Sequence, residues 1–117
     1  MYNGTVSAAP NWHESVERKI VRDALPESYE ALFHSIGIPN FLLLLKDVPM
    51  IPLEAIERAI GVIYLPQTER MSHYFNANLI GQFDAIIHYD NTVAVEPLEK
   101  TSEWIEGEVP ETYPSGL

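Results

Sequence analysis

The chain has 117 residues, of which 46% are hydrophobic and 21% charged, a composition typical of one small globular domain and not of a disordered chain. Its formal net charge of −10 argues against nucleic acid or an anionic membrane as a partner, because phosphate binding requires clustered cations. The chain contains no cysteine, which excludes disulfides, zinc–thiolate sites and a cysteine nucleophile.

The N-terminal sequence has neither a basic start nor an apolar stretch, so it does not resemble a signal peptide. The longest apolar run, residues 41–45, is far shorter than the ~20 residues that a membrane-spanning helix needs. We therefore expect a cytoplasmic protein.

The first third of the chain predicts one well-marked helix. Residues 1–12 are typical of coil or a broken strand end, and the charged stretch 13–23 favours a short helix. Residues 26–36 predict a helix that begins at Pro26, has Glu27 and Glu30 near its positive end, and buries one stripe formed by Tyr29, Leu32, Phe33 and Ile36. Gly37 supplies its C-terminal cap.

The rest of the chain predicts three strands and a tail. The continuous apolar run 41–45 indicates a strand covered on both faces, as in a parallel sheet. The spacing of Leu53, Ile56 and Ile60 predicts a short helix, and residues 67–82 predict a loop with one or two helical turns. Residues 62–65 and 83–89 predict further strands, and 93–95 predicts an edge strand. Residues 99–117 form an acidic, proline-containing tail that we expect to wrap the surface, pinned by Trp104 and Tyr113.

Together these elements predict an α/β fold with a small, mostly parallel sheet of three to four strands and flanking helices. So narrow a sheet has two edges to protect, and strand 41–45 has an apolar side chain on each face. We therefore interpret residues 1–117 as a single segment of a larger α/β unit.

Candidate functional residues follow two of the predicted strands. Ligand-contacting groups gather beyond the C-terminal ends of strands in open α/β sheets. The first group is Glu69, Arg70, His73 and Tyr74, and the second is His88, Tyr89 and Asp90. A histidine beside a carboxylate is suited to general-base work, and an arginine is suited to holding an oxyanion.

Each of these residues also has a structural interpretation. His88 within an apolar strand is typical of a histidine satisfied by backbone groups, and Asp90 is typical of a turn. Tyr74 is a candidate core aromatic, while His13 and His34 are expected on the surface. No histidine pair at i, i+4, no glycine-rich phosphate loop and no Gly-x-Ser-x-Gly elbow is present, so we expect no metal and no cofactor.

Several stretches resemble one known family in the family's own order along nearly the whole chain. They are residues 2–6 (YNGTV), 24–34 (ALPESYEALFH), 60–64 (IGVIY), 69–75 (ERMSHYF), 82–90 (QFDAIIHYD), 95–98 (VEPL) and 110–114 (PETYP). They are similar to the C-terminal region of the erythromycin esterase family, which includes proteins labelled succinoglycan-biosynthesis-like.

This resemblance implies descent from metal-independent hydrolases with an α/β hydrolase fold. Some members confer antibiotic resistance by opening a macrolide lactone with histidine-activated water. That histidine belongs to an N-terminal Gly-Glu-x-x-His-Gly motif, and a second functional histidine lies just upstream of the region that this chain matches. Here the Gly107-Glu108 pair is followed by Val-Pro-Glu, without histidine. The resemblance also implies that the segment around Arg70, His73 and Tyr74 helps to line the substrate cleft.

Three functional hypotheses follow. In the first, the chain is the C-terminal fragment of an esterase-like hydrolase, inactive alone, whose partner is the missing N-terminal portion or a second copy of itself. In the second, it is a stand-alone, non-catalytic binding or interaction domain. In the third, it is a small self-sufficient hydrolase that uses His73 or His88 on a small ester.

Overall fold

Short strands in three separate sheets make up most of the regular structure. The computed structural model describes residues 1–52 and 54–107. The first sheet has the order β2–β1–β7 and is formed by β1 (Asn3–Ala8), β2 (Glu17–Val21) and β7 (Asn91–Thr92). The second pairs β3 (Asn40–Leu44) with β6 (Ala85–Tyr89), and the third pairs β4 (Ala55–Arg58) with β5 (Tyr74–Ala77).

The mixed α/β class is confirmed, but the prediction of a mostly parallel sheet is wrong. Three pairings, β1–β2, β3–β6 and β4–β5, are antiparallel, and among the named strands of the described residues only β1–β7 is parallel. The reason is that an apolar run such as 41–45 indicates coverage of both faces and carries no information about strand direction.

Helix α1 (Tyr29–Ser35) begins later than Pro26 and confirms only half of the predicted stripe. Tyr29 and Phe33 are buried, whereas Leu32 (37%) and Ile36 (50%) are exposed, because α1 packs on the β3–β6 sheet through the side that carries Phe33. Ser28 is its N-cap, because the Ser28 hydroxyl accepts a hydrogen bond from the Ala31 N–H at 3.2 Å. Beyond the helix, Gly37 adopts a φ of 83°, the left-handed conformation expected of a C-terminal glycine. Three one-turn α-helices follow, α2 (Glu69–Ser72), α3 (Leu79–Gln82) and α4 (Ser102–Ile105). Two 3-10 turns lie at Leu45–Asp47 and Pro66–Thr68.

Two predicted helices are strands. Residues 17–21 lie in β2 and residues 55–58 in β4. Both predictions rested on apolar residues four apart, Val16–Ile20 and Ile56–Ile60, and a spacing of four fits the two-residue period of a strand as well as a helical turn. Tertiary pairing decides between the two.

The remaining elements differ in smaller ways. Residues 62–65 form no strand, and Ile63 makes one isolated parallel bridge to Ala9. The edge strand predicted over 93–95 is absent, whereas 67–82 contains the expected helical turns α2 and α3 with β5 between them. Residues 1–12, predicted as coil or a broken strand end, contain β1.

Close packing of β1 against β7 depends on a glycine. Gly4 has a φ of 136°, and a Cβ at this position would overlap the backbone carbonyl of Thr92. Glycine therefore permits both the conformation and the approach of the two strands.

The buried interior has two parts. The larger cluster lies between α1, the β3–β6 sheet and α3, and consists of Tyr29, Phe33, Leu45, Ile51, Ala77 and Leu79. The smaller lies under the first sheet and consists of Ala8, Val21 and Tyr64. Trp104 of α4 is buried and its Nε1 donates to the Ser7 hydroxyl at 2.9 Å, so the predicted anchor at Trp104 is confirmed. Tyr113 lies outside the described residues.

In the described part of the chain, the longest α-helix has seven residues, and no helix combines the length and apolarity needed to cross a bilayer.

Candidate functional site

The two predicted groups of functional residues occupy different parts of the fold. Glu69, His73 and Tyr74 belong to α2 and the start of β5, which pairs with β4. His88 and Asp90 belong to β6 and the turn after it, and β6 pairs with β3. The two groups therefore belong to different sheets and do not share one sheet edge.

The first group is organised around a buried ion pair. Arg58 Nε lies 3.2 Å from Glu69 Oε1, and their side chains are 2% and 6% exposed. Arg58 Nε also donates to the Tyr74 hydroxyl at 2.9 Å, and the Tyr64 hydroxyl donates to Glu69 Oε2 at 2.7 Å. Burial raises the pKa of both tyrosine hydroxyls, so both stay protonated. The Tyr64 hydroxyl donates to Glu69, whereas the Tyr74 hydroxyl accepts from Arg58 Nε and from the Leu25 N–H.

His73 is held within the same region by its backbone neighbours. Its Nε2 accepts a hydrogen bond from the Leu65 N–H at 2.9 Å, which requires that nitrogen to be unprotonated. Its ring stacks on Tyr64 with a centroid distance of 5.3 Å. This geometry gives His73 a structural task, fixing the 62–65 segment against α2.

Arg70 points away from this network. Its side chain is 67% exposed, and Nη2 lies 2.5 Å from the Glu27 carboxylate. The partners of Arg70 and His73 are therefore unrelated in the described structure, although the two residues are three apart in sequence.

The second group forms a His–Asp–His cluster. The two carboxylate oxygens of Asp90 accept hydrogen bonds from His34 Nδ1 at 2.8 and 2.9 Å. One of these oxygens, Oδ1, also lies 3.2 Å from His88 Nε2. Partial burial opposes ionisation, but these two hydrogen bonds outweigh it and hold the pKa of Asp90 below its ordinary value of 3.8. Tyr2 stacks on the His34 ring at 3.6 Å. Asp90 thus does more than close a turn, because it joins α1 to the end of β6.

His34 was expected as a plain surface residue, and no local pattern marks its pairing with Asp90, which lies 56 residues away. His34 is half-exposed whereas the His88 side chain is only 2% exposed. His88 is packed between the rings of Phe33 and Phe41 at 5.6 and 5.1 Å. The hydrogen-bond partner of His88 is the Asp90 carboxylate, whereas its position in an apolar strand favoured a backbone group.

A cavity of about 360 Å³ lies between α1, β4 and β6. This volume is within the range of small-molecule pockets. Its wall mixes apolar and polar surface: the lining includes Tyr29, Phe33, Leu79, Phe83 and Ile86 together with Glu30, Glu57, Arg58 and His88. His88 is the one predicted site residue that lines this cavity.

The two glutamates of the cavity have perturbed acidity. Burial raises the pKa of Glu30, whose carboxylate accepts a hydrogen bond from the Arg58 backbone N–H at 3.2 Å. Burial and the neighbouring charge of Glu30 raise the pKa of Glu57. Raised carboxyl pKa values in a pocket are characteristic of sites that bind ligands or exchange protons.

Sequence reasoning missed both glutamates. Glu30 was interpreted only as a favourable charge near the start of a helix, and Glu57 lay in a segment predicted as helix, where its neighbours differ. No local motif marks either residue. Within residues 1–52 and 54–107, no set of three or more His, Asp or Glu side chains is arranged to hold a metal ion.

Comparison with protein families gives a match over most of the chain. The family model described as erythromycin esterase matches residues 1–92, which include α1, the cavity lining and the His–Asp–His cluster. No solved structure matches the chain.

Proposed function

The chain belongs to the erythromycin esterase family, and on that premise we propose that it forms the C-terminal part of a hydrolase and one wall of its substrate cleft. The observation that carries this proposal is the family match over residues 1–92, because it includes every residue that lines the cavity. The reaction is hydrolysis of a carboxylic ester, with macrolide lactones as the substrate class.

The cavity supports this role through its mixed lining. Aromatic and aliphatic walls bury the apolar body of a ligand, and a few polar groups fix its orientation. Glu30 and Glu57, whose pKa values are raised, supply carboxyls able to exchange a proton or accept a hydrogen bond from substrate hydroxyls. His88 closes one side and is itself held by Asp90.

The chemical step itself needs groups that this sequence does not contain. Activation of water in the proposed mechanism belongs to a histidine in a Gly-Glu-x-x-His-Gly motif, and that motif is absent from these 117 residues. His73 and His88 are each committed to a hydrogen bond, and a lone histidine is only part of a catalytic constellation. We therefore assign no hydrolysis to the chain by itself.

A chimera tests the proposal. The chimera keeps the part of an active erythromycin esterase that precedes the segment aligned with residues 1–92. This chain replaces that segment and everything after it. We expect the chimera to hydrolyse a macrolide lactone, measured by mass spectrometry of the ring-opened product, and the isolated chain to give the background rate.

Two variants make the test specific. Glu30→Gln and Glu57→Gln in the chimera are expected to reduce kcat/KM, while Glu54→Gln, at an exposed position, leaves it unchanged. A folded but inactive chimera would contradict the proposal. So would an isolated chain whose ester hydrolysis is lost in His73→Ala or His88→Ala.

A second candidate function is a non-catalytic binding domain. The observation that favours it is the cavity of about 360 Å³, which already combines apolar side chains with Glu30, Glu57, Arg58 and His88. Calorimetry distinguishes the two candidates: a sharp unfolding transition of the isolated chain that shifts upward with a small ligand supports a binding domain. A transition that no small ligand shifts supports a part of a larger fold.

A further inference from the structure

The β3–β6 sheet carries an apolar surface that nothing in the described residues covers. In this antiparallel pair Leu42 lies opposite Ile87. On the face that these two side chains share, which we call the outer face, lie Leu42 (65% exposed), Leu44 (46%), Ile87 (64%) and Tyr89 (54%), together with Asn40 and Ala85 at its two ends. Residues that alternate with these lie on the inner face, because successive strand side chains point to opposite sides.

The inner face is already covered by a helix. Phe33 of α1 contacts Phe41 of β3 at a ring-centroid distance of 5.8 Å and His88 of β6 at 5.6 Å. The sheet therefore has apolar side chains on both faces, but within the described residues only its inner face is covered by a helix. Helices on both faces of a sheet are a standard layered arrangement, and strands in such a sheet are apolar throughout.

The dimensions of the outer face indicate what covers it. Two strands of five residues present a footprint of roughly 16 by 10 Å from the rise per residue and the strand spacing. That is about the width of one helix and the length of three turns. It is far below the ~800 Å² per partner of a standard protein–protein interface, so it does not suffice to hold two independent molecules together.

Charge argues against a second copy as the occupant. Each chain has a formal net charge of −10, so two copies repel one another over the whole approach. A segment of the same polypeptide incurs no such cost of association, since covalent connection supplies a high effective concentration.

We infer that the outer face is the docking surface for an amphipathic helix from the part of the hydrolase that precedes this segment in sequence. This inference rests on the proposed function, because it takes the preceding part to be that of an erythromycin esterase. Leu42 and Ile87 form the centre of the contact, with Leu44 and Tyr89 at its two ends.

The test compares Leu42→Glu in two settings. In the isolated chain position 42 is exposed, so the unfolding temperature is expected to stay unchanged. In the chimera the new carboxylate is buried against the helix, and we expect a clear fall in unfolding temperature and at least about a tenfold loss of folded, active protein. Met71→Glu, at a position that is 90% exposed on α2, is the matched control and is expected to change neither.

A photo-crosslinker identifies the occupant. Benzoylphenylalanine at position 87 of the chimera is expected to react with residues of the preceding part that are three and four apart in sequence. Crosslinks to a second copy, to residues 108–117 or to no protein group would overturn the inference, as would a chimera indifferent to Leu42→Glu.

The two proposals fail separately. A chimera that hydrolyses lactone and tolerates Leu42→Glu retains the proposed function and overturns the docking surface. A chimera that folds, crosslinks at position 87 and has no activity retains the docking surface and overturns the proposed function.

Discussion

Arg58 and Glu69 form an ion pair in which Nε and Oε1 are 3.2 Å apart and both side chains are more than nine-tenths buried. Glu69 follows the 62–65 segment and Arg58 ends β4, so the pair ties α2 to the third sheet. Within the described residues, the two Nη atoms of Arg58 have no hydrogen-bond partner. The pair therefore fixes the arrangement of these elements at a considerable desolvation cost.

Removing one partner of this pair is expected to be severely destabilising. Arg58→Met leaves the Glu69 charge buried without compensation, and we expect a loss of about 3–5 kcal/mol in the free energy of unfolding. The double variant Arg58→Met/Glu69→Leu is expected to recover most of that loss, because no charge remains buried. Urea denaturation of the three proteins measures this, and a double variant no more stable than the single one would contradict the explanation.

Asp90→Asn is expected to lower stability at neutral pH by about 1–2 kcal/mol, since it weakens two charge-assisted hydrogen bonds from His34 and His88. The folded pKa of Asp90 lies below 3.8, so its contribution is complete above that pH and is lost as pH falls through the folded pKa. Thermal unfolding at pH 7 and at an acidic pH well below 3.8 should show the difference from wild type shrinking. The exposed Asp47→Asn is the control, and an equal loss at both pH values would count against this account.

Glu30→Gln is expected to raise stability at neutral pH, whereas Asp90→Asn lowers it. Burial raises the folded pKa of Glu30 above 4.5. The folded state is therefore stabilised by protonated Glu30 below pH 4.5, and this stabilisation is lost as pH rises through the folded pKa. The neutral amide removes this penalty while keeping an oxygen for the Arg58 N–H. We expect Glu30→Gln to be more stable than wild type at pH 7 and equal to it at pH 4, with Glu54→Gln unchanged throughout; a less stable variant at pH 7 would refute the assignment.

Trp104→Ala is expected to release α4 from the first sheet. The indole is buried, lies under the Arg18 guanidinium at 5.4 Å and donates to Ser7. Truncation of a buried tryptophan costs about 3–5 kcal/mol, whereas Trp12, which is 78% exposed, can be replaced by alanine with little effect. Limited proteolysis followed by mass spectrometry should show faster cleavage after residue 95 in Trp104→Ala alone.

Sequence patterns were sufficient where local physics decides the structure. The stripe of Tyr29 and Phe33 with the Gly37 cap located α1, and the apolar runs located β3 and β6. Local patterns failed where pairing between distant segments decides, as in β2 and β4, whose residues are compatible with either period. Strand direction was equally inaccessible, because an apolar strand has the same sequence pattern in either orientation.

The candidate site shows the same division. Position in an apolar strand identified His88, and Asp90 follows it by two residues, but the contact of Asp90 with His34 joins residues 56 apart in sequence. Glu30 and Glu57 meet only because α1 packs beside β4, so neither could be recognised from its neighbours in sequence. The apolar outer face around Leu42 was anticipated as a need for coverage on both sides, and the structure locates the uncovered side.

The most direct measurement is the rate of macrolide lactone opening by the chimeric esterase that carries this chain, compared with the isolated chain under the same conditions. The account predicts turnover by the chimera, reduced in Glu30→Gln and Glu57→Gln, and the uncatalysed rate for the chain alone. A folded chimera without turnover, or turnover by the isolated chain through its own histidines, would contradict it.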